Sequence, residues 1–234
     1  MIKAVFFDLY HTLIHYHPHR EEVLALNLSR CGVNAKEVNL KRAIIAGDEF
    51  VYKESARKSL GKRTEAEMQA LWQEYQAVVL SEAGITPTSE LVTGLVADTR
   101  QTTFERVLFG DVLPALTTLA DQGFKLGLIS NVDQDIGPLL DKLGIGSYLE
   151  VVLTSKEAGA VKPEPRIFHE AIRRAEVAPA DTLYVGDQYQ LDVLGARGAG
   201  LKALLLDRED NYPEVAAAEK IRGLDELQDI ISLV

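Results

Sequence analysis

Five polar or charged side chains stand out because each lies at the end of a short apolar segment or soon after it. Asp8 closes the first such segment, and Ser130 and Asn131 stand at the end of the second. Lys162 lies in the loop after the third segment, and Asp187 closes the fourth. The carboxyl ends of parallel strands meet along one edge of a sheet, where ligands bind, so we expect these side chains to lie together.

Their chemistry suits phosphoryl transfer. Asp8 is placed to attack phosphorus and to form an acyl-phosphate. Asp8 and Asp187 would repel each other side by side, and a Mg²⁺ ion between them would remove that cost and screen the phosphate. Lys162 and Ser130 would hold the equatorial oxygens of the phosphoryl group. Mg²⁺ is therefore the predicted cofactor.

The elements that must position these residues alternate between strand and helix. Short apolar runs predict five buried strands at residues 3–8, 125–130, 150–154, 182–187 and 201–206. Helical spacing follows at residues 113–122, 135–143, 165–175 and 192–199, with a further amphipathic helix at 224–234. Continuous apolar strands are typical of a parallel sheet covered on both faces. We predict an α/β fold with a doubly wound, parallel, five-stranded, Rossmann-like sheet.

One long helical stretch interrupts this alternation. From about residue 15 to residue 110 the sequence gives no strand pattern, and helical spacing recurs at 21–31, 40–57, 64–83 and 89–104. Thr64 and Glu67 form a capping-box pattern at the start of the third of these helices. We predict a core domain of residues 1–14 and 106–234, with a helical cap domain of residues 15–105 inserted after the first strand.

Composition excludes several classes of protein. The 234 residues include 25 Lys and Arg against 35 Asp and Glu, a formal charge of −10, which argues against a nucleic-acid partner. No apolar run reaches the roughly 20 residues of a membrane span. Cys31 is the single cysteine, which excludes an internal disulfide and a cysteine-rich zinc site. We expect a soluble cytoplasmic protein with a small-molecule phosphorylated substrate and no membrane partner, as a monomer or a homodimer.

Together the segments resemble the four motifs of the haloacid dehalogenase-like hydrolase superfamily, C1-capped subfamily I. These are Asp8-Leu9-Tyr10-His11-Thr12-Leu13, Ser130-Asn131, Lys162-Pro163-Glu164-Pro165, and Gly186-Asp187 followed by Asp192. They occur in order, and the resemblance covers essentially the whole chain, with the helical insertion in the place of a C1-type cap.

The resemblance also implies roles for individual residues. Asp8 is the nucleophile in such proteins, and Asp8, Asp187 and the main-chain carbonyl of Tyr10 would bind Mg²⁺. Asp192 would support the metal site indirectly, without being one of the direct metal ligands. By the same resemblance, Ser130, Asn131 and Lys162 would bind the substrate phosphate and balance its charge.

Tyr10 departs from the phosphatase pattern. Phosphatases of this superfamily have there a second aspartate, which protonates the leaving oxygen and later activates water, whereas a phenol suits general-base work at neutral pH poorly. Tyrosine at this position resembles the 2-haloacid dehalogenase branch, in which the nucleophile attacks carbon. His11, Phe168 and the Gly186-Asp187 pair depart from that branch in turn. We predict a Mg²⁺-dependent phosphatase that Tyr10 slows, with a dehalogenase and a binding protein of little turnover as alternatives.

Histidines cluster directly after the first motif. His11 stands three residues after Asp8, and we hypothesise that it supplies some of the acid–base function absent at Tyr10. For the cluster as a whole, which continues through residues 15, 17 and 19, a solvated or partner-facing loop is favoured over a zinc site. Asp192 has the alternative of pairing with a helix dipole, and Ser130-Asn131 that of capping a helix.

Overall fold

The chain divides into two compact units. The computed structural model describes residues 1–36, 38–216 and 220–232. Met1–His15 and Val107–Val234 form the first unit, named here the core unit. Tyr16–Arg106 form the second, named the inserted unit. A covering role for the inserted unit, as a C1-type cap, stays a prediction.

A parallel sheet of six strands forms the centre of the core unit. In chain order the strands of the described residues are β1 (Ala4–Phe7), β2 (Ile14–His17), β3 (Glu105–Leu108), β4 (Lys125–Ser130), β5 (Val151–Thr154), β6 (Thr182–Gly186), β7 (Lys202–Leu206) and β8 (Lys220–Ile221). The central sheet has the order β5-β4-β1-β6-β7-β8 and is parallel throughout. The α/β parallel sheet is confirmed, but the prediction of five strands was wrong, because β8 has only two residues and shows no apolar run.

Both faces of the sheet are covered, which explains why its strands read as continuous apolar runs. On β1, Val5 and Phe7 belong to the apolar cluster on one face, and Ala4 and Phe6 belong to the cluster on the other. All four side chains are fully buried. Because alternate residues of a strand point to opposite faces, a strand buried on both faces needs an apolar residue at every position.

Two strands lie where the sequence predicted none. β2 and β3 pair with each other in a separate two-stranded sheet. The chain passes from the core unit into the inserted unit within β2 and returns to the core unit within β3. β2 has the sequence IHYH, and its burial falls from the buried Ile14 to the exposed His17. A four-residue strand with two histidines has too few alternating apolar positions to be recognised from its pattern.

The helices follow the predicted spacing, with differences at their ends, except that the four-residue helix Ser155–Ala158 was not predicted. They are α1 (Arg20–Arg30), α2 (Leu40–Arg57), α3 (Glu65–Glu82), α4 (Ser89–Gln101), α5 (Val112–Asp121), α6 (Gly137–Lys142), α7 (Ser155–Ala158), α8 (Pro165–Arg174), α9 (Leu194–Gly198) and α10 (Leu227–Ile231). The helix predicted at 192–199 begins instead with a π-helical turn, Tyr189–Val193. The helix predicted at 224–234 opens with a 3₁₀ turn, and residues 233 and 234 lie outside the described residues. None of the described helices combines the length and the apolar character that a membrane crossing needs.

The side chain of Arg20 connects three helices of the inserted unit. Arg20, on α1, donates from both terminal nitrogens to Asp48 of α2, at 2.9 and 2.8 Å. The same guanidinium donates to the hydroxyl of Tyr75 on α3 and lies over the ring of Tyr16. The same helices contribute residues to one buried apolar cluster, which includes Leu28 and Leu80. Apolar packing and a bidentate ion pair thus stabilise the inserted unit together.

The predicted capping box at the start of α3 is confirmed, and it yields a test of the inserted unit. Thr64 Oγ1 accepts from the main-chain N–H of Glu67, and the Glu67 carboxylate accepts from that of Thr64. Thr64→Ala should lower the free energy of unfolding by about 0.5–2 kcal/mol, because the main-chain N–H of Glu67 loses its capping partner. Thr64→Ser keeps the oxygen and serves as the control in urea unfolding. Equal stability of the two variants would contradict the cap's contribution.

Candidate active site

The structure places Asp8 between the ends of the two strands that flank β1. Asp8 follows β1 directly, and its main-chain N–H donates to the carbonyl of Val185 on β6, 2.9 Å away. Ser130 is the last residue of β4, and Asp187 follows the last residue of β6. Because β1 pairs in parallel with both β4 and β6, the three strands deliver these side chains to one edge of the sheet.

Lys162 brings two of the acidic residues together. Its ammonium nitrogen lies 2.6 Å from Asp8 Oδ1 and 2.6 Å from Asp192 Oδ1. The hydroxyl of Tyr184, on β6, lies 3.0 Å from the same nitrogen. Burial acts to lower the pKa of Lys162, but the carboxylates of Asp192 and Asp8 outweigh it and hold that pKa above its usual value. The lysine therefore carries a full positive charge inside the protein.

Asp8, Asp187 and Asp192 crowd their carboxylates into a small volume. One oxygen from each lies within 4.8 Å of the others; Asp8 and Asp192 are buried, and Asp187 is partly buried. Burial, reinforced by the charges of Asp8 and Asp192, raises the pKa of Asp187 well above its usual value. Burial likewise raises the pKa of Asp8 to about 6, although Lys162 opposes the shift. Crowded carboxylate oxygens are a donor set that fits a hard divalent cation such as Mg²⁺, whose charge would reverse these shifts.

Asp192 mainly holds Lys162 in place. Its Oδ1 accepts from Lys162 Nζ and lies 3.2 Å from the hydroxyl of Tyr184, and its Oδ2 accepts from the main-chain N–H of Gln188. A Cβ at Gly186 would collide with the Asp192 side chain, so this close approach requires the glycine. The predicted role of Asp192 in supporting a metal stays a prediction, because these contacts are to protein groups.

Asn131 clamps the main chain of Lys162. Its Oδ1 accepts from the Lys162 N–H at 2.7 Å, and its Nδ2 donates to the Lys162 carbonyl at 3.1 Å. The amide thus pairs with both main-chain polar groups of one buried residue, in the manner of a strand partner. Phosphate binding by Asn131 and Ser130 stays a prediction, and Asn131 has in addition this positioning role.

Most of the chain matches a known protein family. The family of haloacid dehalogenase-like hydrolases matches residues 2–200. The chain belongs to this family. The four groups of residues that resemble this family's motifs meet at the carboxyl edge of the sheet.

Individual relatives agree with this assignment. The chain is 44% identical over 85 residues to haloacid dehalogenase-like hydrolase domain-containing protein 3 of Bos taurus, a match that covers 36% of this chain and only 34% of that protein. It is 32% identical over 218 residues to glyceraldehyde 3-phosphate phosphatase of Methanopyrus kandleri, covering 89% and 85%. The crystal structure of a HAD phosphatase from Thermococcus onnurineus is similar over 98% of each chain, with a TM-score of 0.58 at 25% identity.

Sequence reasoning missed two residues that support the hydrolase motifs. Tyr184 lies two residues before Gly186 in the buried strand TLYVG, and a buried hydroxyl there needs a partner. Arg208 forms a bidentate pair with Asp111, at 2.8 and 3.0 Å, and donates to the main-chain carbonyl of Thr12 at 3.0 Å. Arg208 thereby fastens the loop of the first motif, and only its place two residues after β7 hinted at such a role.

The histidines of the first motif and β2 have separate surroundings. His11 has a left-handed backbone, with φ of 61°, and its N–H donates to the carbonyl of Ile14. His15 stacks on Phe109, with ring centroids 4.7 Å apart. Across residues 1–36, 38–216 and 220–232, the three clustered aspartates are the only group of three or more acidic, histidine or cysteine residues placed to hold a metal. An acid–base role for His11 stays a hypothesis.

The Asn131 clamp yields a test of the site's architecture. Asn131→Ala should lower the free energy of unfolding by about 1–3 kcal/mol, because the N–H and C=O of buried Lys162 would lose their partners. Urea unfolding measures the change. Asn211→Ala is the control in the same unit, since the contact of Asn211 with Asp207 uses only its main-chain N–H. Wild-type stability of Asn131→Ala would contradict the clamp.

Proposed function

We propose that the protein is a Mg²⁺-dependent phosphatase of small phosphorylated metabolites that acts through an aspartyl-phosphate at Asp8. The position of Asp8 carries this proposal, because it lies against the buried ammonium of Lys162 and within reach of the carboxylate of Asp187. The ammonium of Lys162 attracts a phosphoryl group, and the carboxylate of Asp187 supplies a ligand for a cation. Family membership and the similarity to an archaeal glyceraldehyde 3-phosphate phosphatase support it.

The protein's own residues divide the work of the first step. A carboxylate oxygen of Asp8 attacks phosphorus, the bond from phosphorus to the leaving oxygen breaks, and its electron pair departs with that oxygen. Lys162 and Ser130 hold the equatorial oxygens of the transferred group. Asp8, Asp187 and the Tyr10 carbonyl would hold Mg²⁺, which when bound supplies positive charge against the phosphoryl oxygens.

Hydrolysis of the acyl-phosphate completes the cycle. Water attacks phosphorus, inorganic phosphate leaves, and the Asp8 carboxylate is regenerated. The water must give up a proton, and Tyr10 occupies the position of the aspartate that takes it in phosphatases of this family. A phenol is a poor base at neutral pH, so this step is slow unless another group such as His11 assists.

Tyr10 is also the observation that favours the second candidate, a 2-haloacid dehalogenase. In that chemistry Asp8 would attack carbon and displace halide, and no leaving-group acid is required. The carboxylate of Asp187 beside Asp8 weighs against it, because two such charges without a cation repel each other strongly. The third possibility is a binding protein with little turnover, which would bind an anion at this site but hydrolyse its ligand very slowly.

Replacement of the nucleophile tests the proposal directly. Asp8→Asn should abolish the Mg²⁺-dependent hydrolysis of p-nitrophenyl phosphate, because the amide cannot form the acyl-phosphate. Release of p-nitrophenol with Mg²⁺ and with EDTA measures this, followed by glyceraldehyde 3-phosphate as a metabolite substrate. The exposed Asp121→Asn is the control and should retain wild-type rates. Metal-independent halide release from 2-chloropropionate, without phosphate release, would show the dehalogenase instead.

A second substitution tests whether Tyr10 limits the rate. Tyr10→Asp should raise the rate of phosphate release, because it restores the acid–base group, whose usual contribution is about 10²- to 10⁴-fold. Tyr10→Phe is the matched control and should leave the rate near wild type. If folded Tyr10→Asp is no faster than wild type, another step or residue limits turnover.

A further inference from the structure

All three hydrogens of the Lys162 ammonium have a hydrogen-bond acceptor within the protein. An ammonium carries three donors and no acceptor. Its nitrogen lies 2.6 Å from Asp8 Oδ1, 2.6 Å from Asp192 Oδ1 and 3.0 Å from the hydroxyl of Tyr184. Three acceptors therefore match three hydrogens. A phosphoryl oxygen can gain a hydrogen bond from Lys162 only if one of these contacts is released.

The contact with Tyr184 is the weakest of the three. A bond from an ammonium to a carboxylate is stronger than one to a neutral hydroxyl, because the attraction between two full opposite charges is added. The two carboxylate contacts are shorter than the contact with the neutral hydroxyl by several tenths of an ångström. Release of either carboxylate would also leave a buried charge with less compensation. An incoming phosphoryl oxygen should therefore displace the hydroxyl.

Tyr184 can lose this contact without losing all its partners. Its hydroxyl lies 3.2 Å from the main-chain carbonyl of Ile129 and 3.2 Å from Asp192 Oδ1, either of which can accept its hydrogen. The ring is fully buried and packs edge-on against Phe168, with centroids 5.2 Å apart. The hydroxyl is thus fixed in place while the flexible lysine side chain can shift.

We propose that Tyr184 is a positioning residue that accepts the third hydrogen of Lys162 in the free protein and yields it to the substrate phosphoryl oxygen. This inference rests on the proposed phosphatase function, since it needs a phosphoryl group at Lys162. Tyr184 thereby stabilises the free protein and weakens phosphate binding, because the bond to its hydroxyl must break first. A merely structural role would have the opposite effect on affinity when the hydroxyl is removed.

Tyr184→Phe tests the inference by removing only the hydroxyl. With Mg²⁺ present, isothermal titration calorimetry should show inorganic phosphate binding roughly 2- to 12-fold more tightly than to wild type, the factor that corresponds to one net hydrogen bond. KM for p-nitrophenyl phosphate should fall by a similar factor, with kcat changed less than about twofold, as expected when ground and transition states gain equally.

Tyr148→Phe is the matched control. It also removes a hydrogen-bonded tyrosine hydroxyl from the core unit, 3.0 Å from the Thr117 hydroxyl and before β5. It should leave phosphate affinity unchanged. Unchanged or weaker binding by Tyr184→Phe, while wild type binds phosphate and turns over substrate, would overturn the inference and leave the proposed function intact. Absence of metal-dependent turnover and of phosphate binding in wild type would reject the proposed function itself.

The wild-type protein provides a test that does not depend on the variant's folding. A crystal structure with Mg²⁺ and inorganic phosphate should show the Lys162 nitrogen beyond hydrogen-bond distance of the Tyr184 hydroxyl, with both carboxylate contacts kept. A structure in which phosphate binds Lys162, the Tyr184 contact survives and the Asp192 contact breaks would contradict the inference.

Discussion

The ammonium of Lys162 lies 2.6 Å from a carboxylate on each of two sides, and this buried arrangement sets the requirements for the surrounding structure. Together with Asp187, three carboxylates accompany one ammonium, which leaves an excess of two negative charges when all are ionised. Buried charges are costly unless they are paired and hydrogen-bonded. The excess equals the charge of one divalent cation, so the acids are far more readily accommodated with a metal ion than without one.

The surrounding elements hold this arrangement from several directions. The Asn131 amide fixes the main chain of Lys162, and Asp192 is fixed in turn by the Gln188 N–H and by the close approach that Gly186 permits. These partners come from two places at the carboxyl edge of the sheet, the loop after β4 and the segment that follows β6. A small shift of one loop would therefore disturb an ion pair that depends on the others, so we expect the site to behave as a unit rather than as separable contacts.

The sequence predicted those features that depend on pattern and strand topology. Strands buried on both faces must be apolar at nearly every position, so β1, β4 and β6 were recognisable, and parallel pairing then brought Asp8 and Asp187 to one edge. Contacts that depend on distance were not predictable. The partners Asn131 and Lys162 are 31 residues apart, and their geometry follows from loop conformations that no periodicity encodes. β8 and the π-helical turn were missed because two or five residues are too few to establish a repeat.

Tyr10 separates two requirements that are usually met together in this family. In the proposed mechanism, binding and attack depend on the charges at Asp8, Lys162 and Asp187, and the predicted metal contact at Tyr10 uses a main-chain oxygen that any residue provides. Proton transfer in the proposed mechanism depends on an acid–base side chain, which in phosphatases of this family stands at position 10. Replacement of that side chain therefore leaves nucleophilic attack on a good leaving group possible, since such a group needs little protonation. In the proposed mechanism it should slow the later attack by water, which must lose a proton in any case. The rate for activated and unactivated phosphate esters should then be limited by different steps.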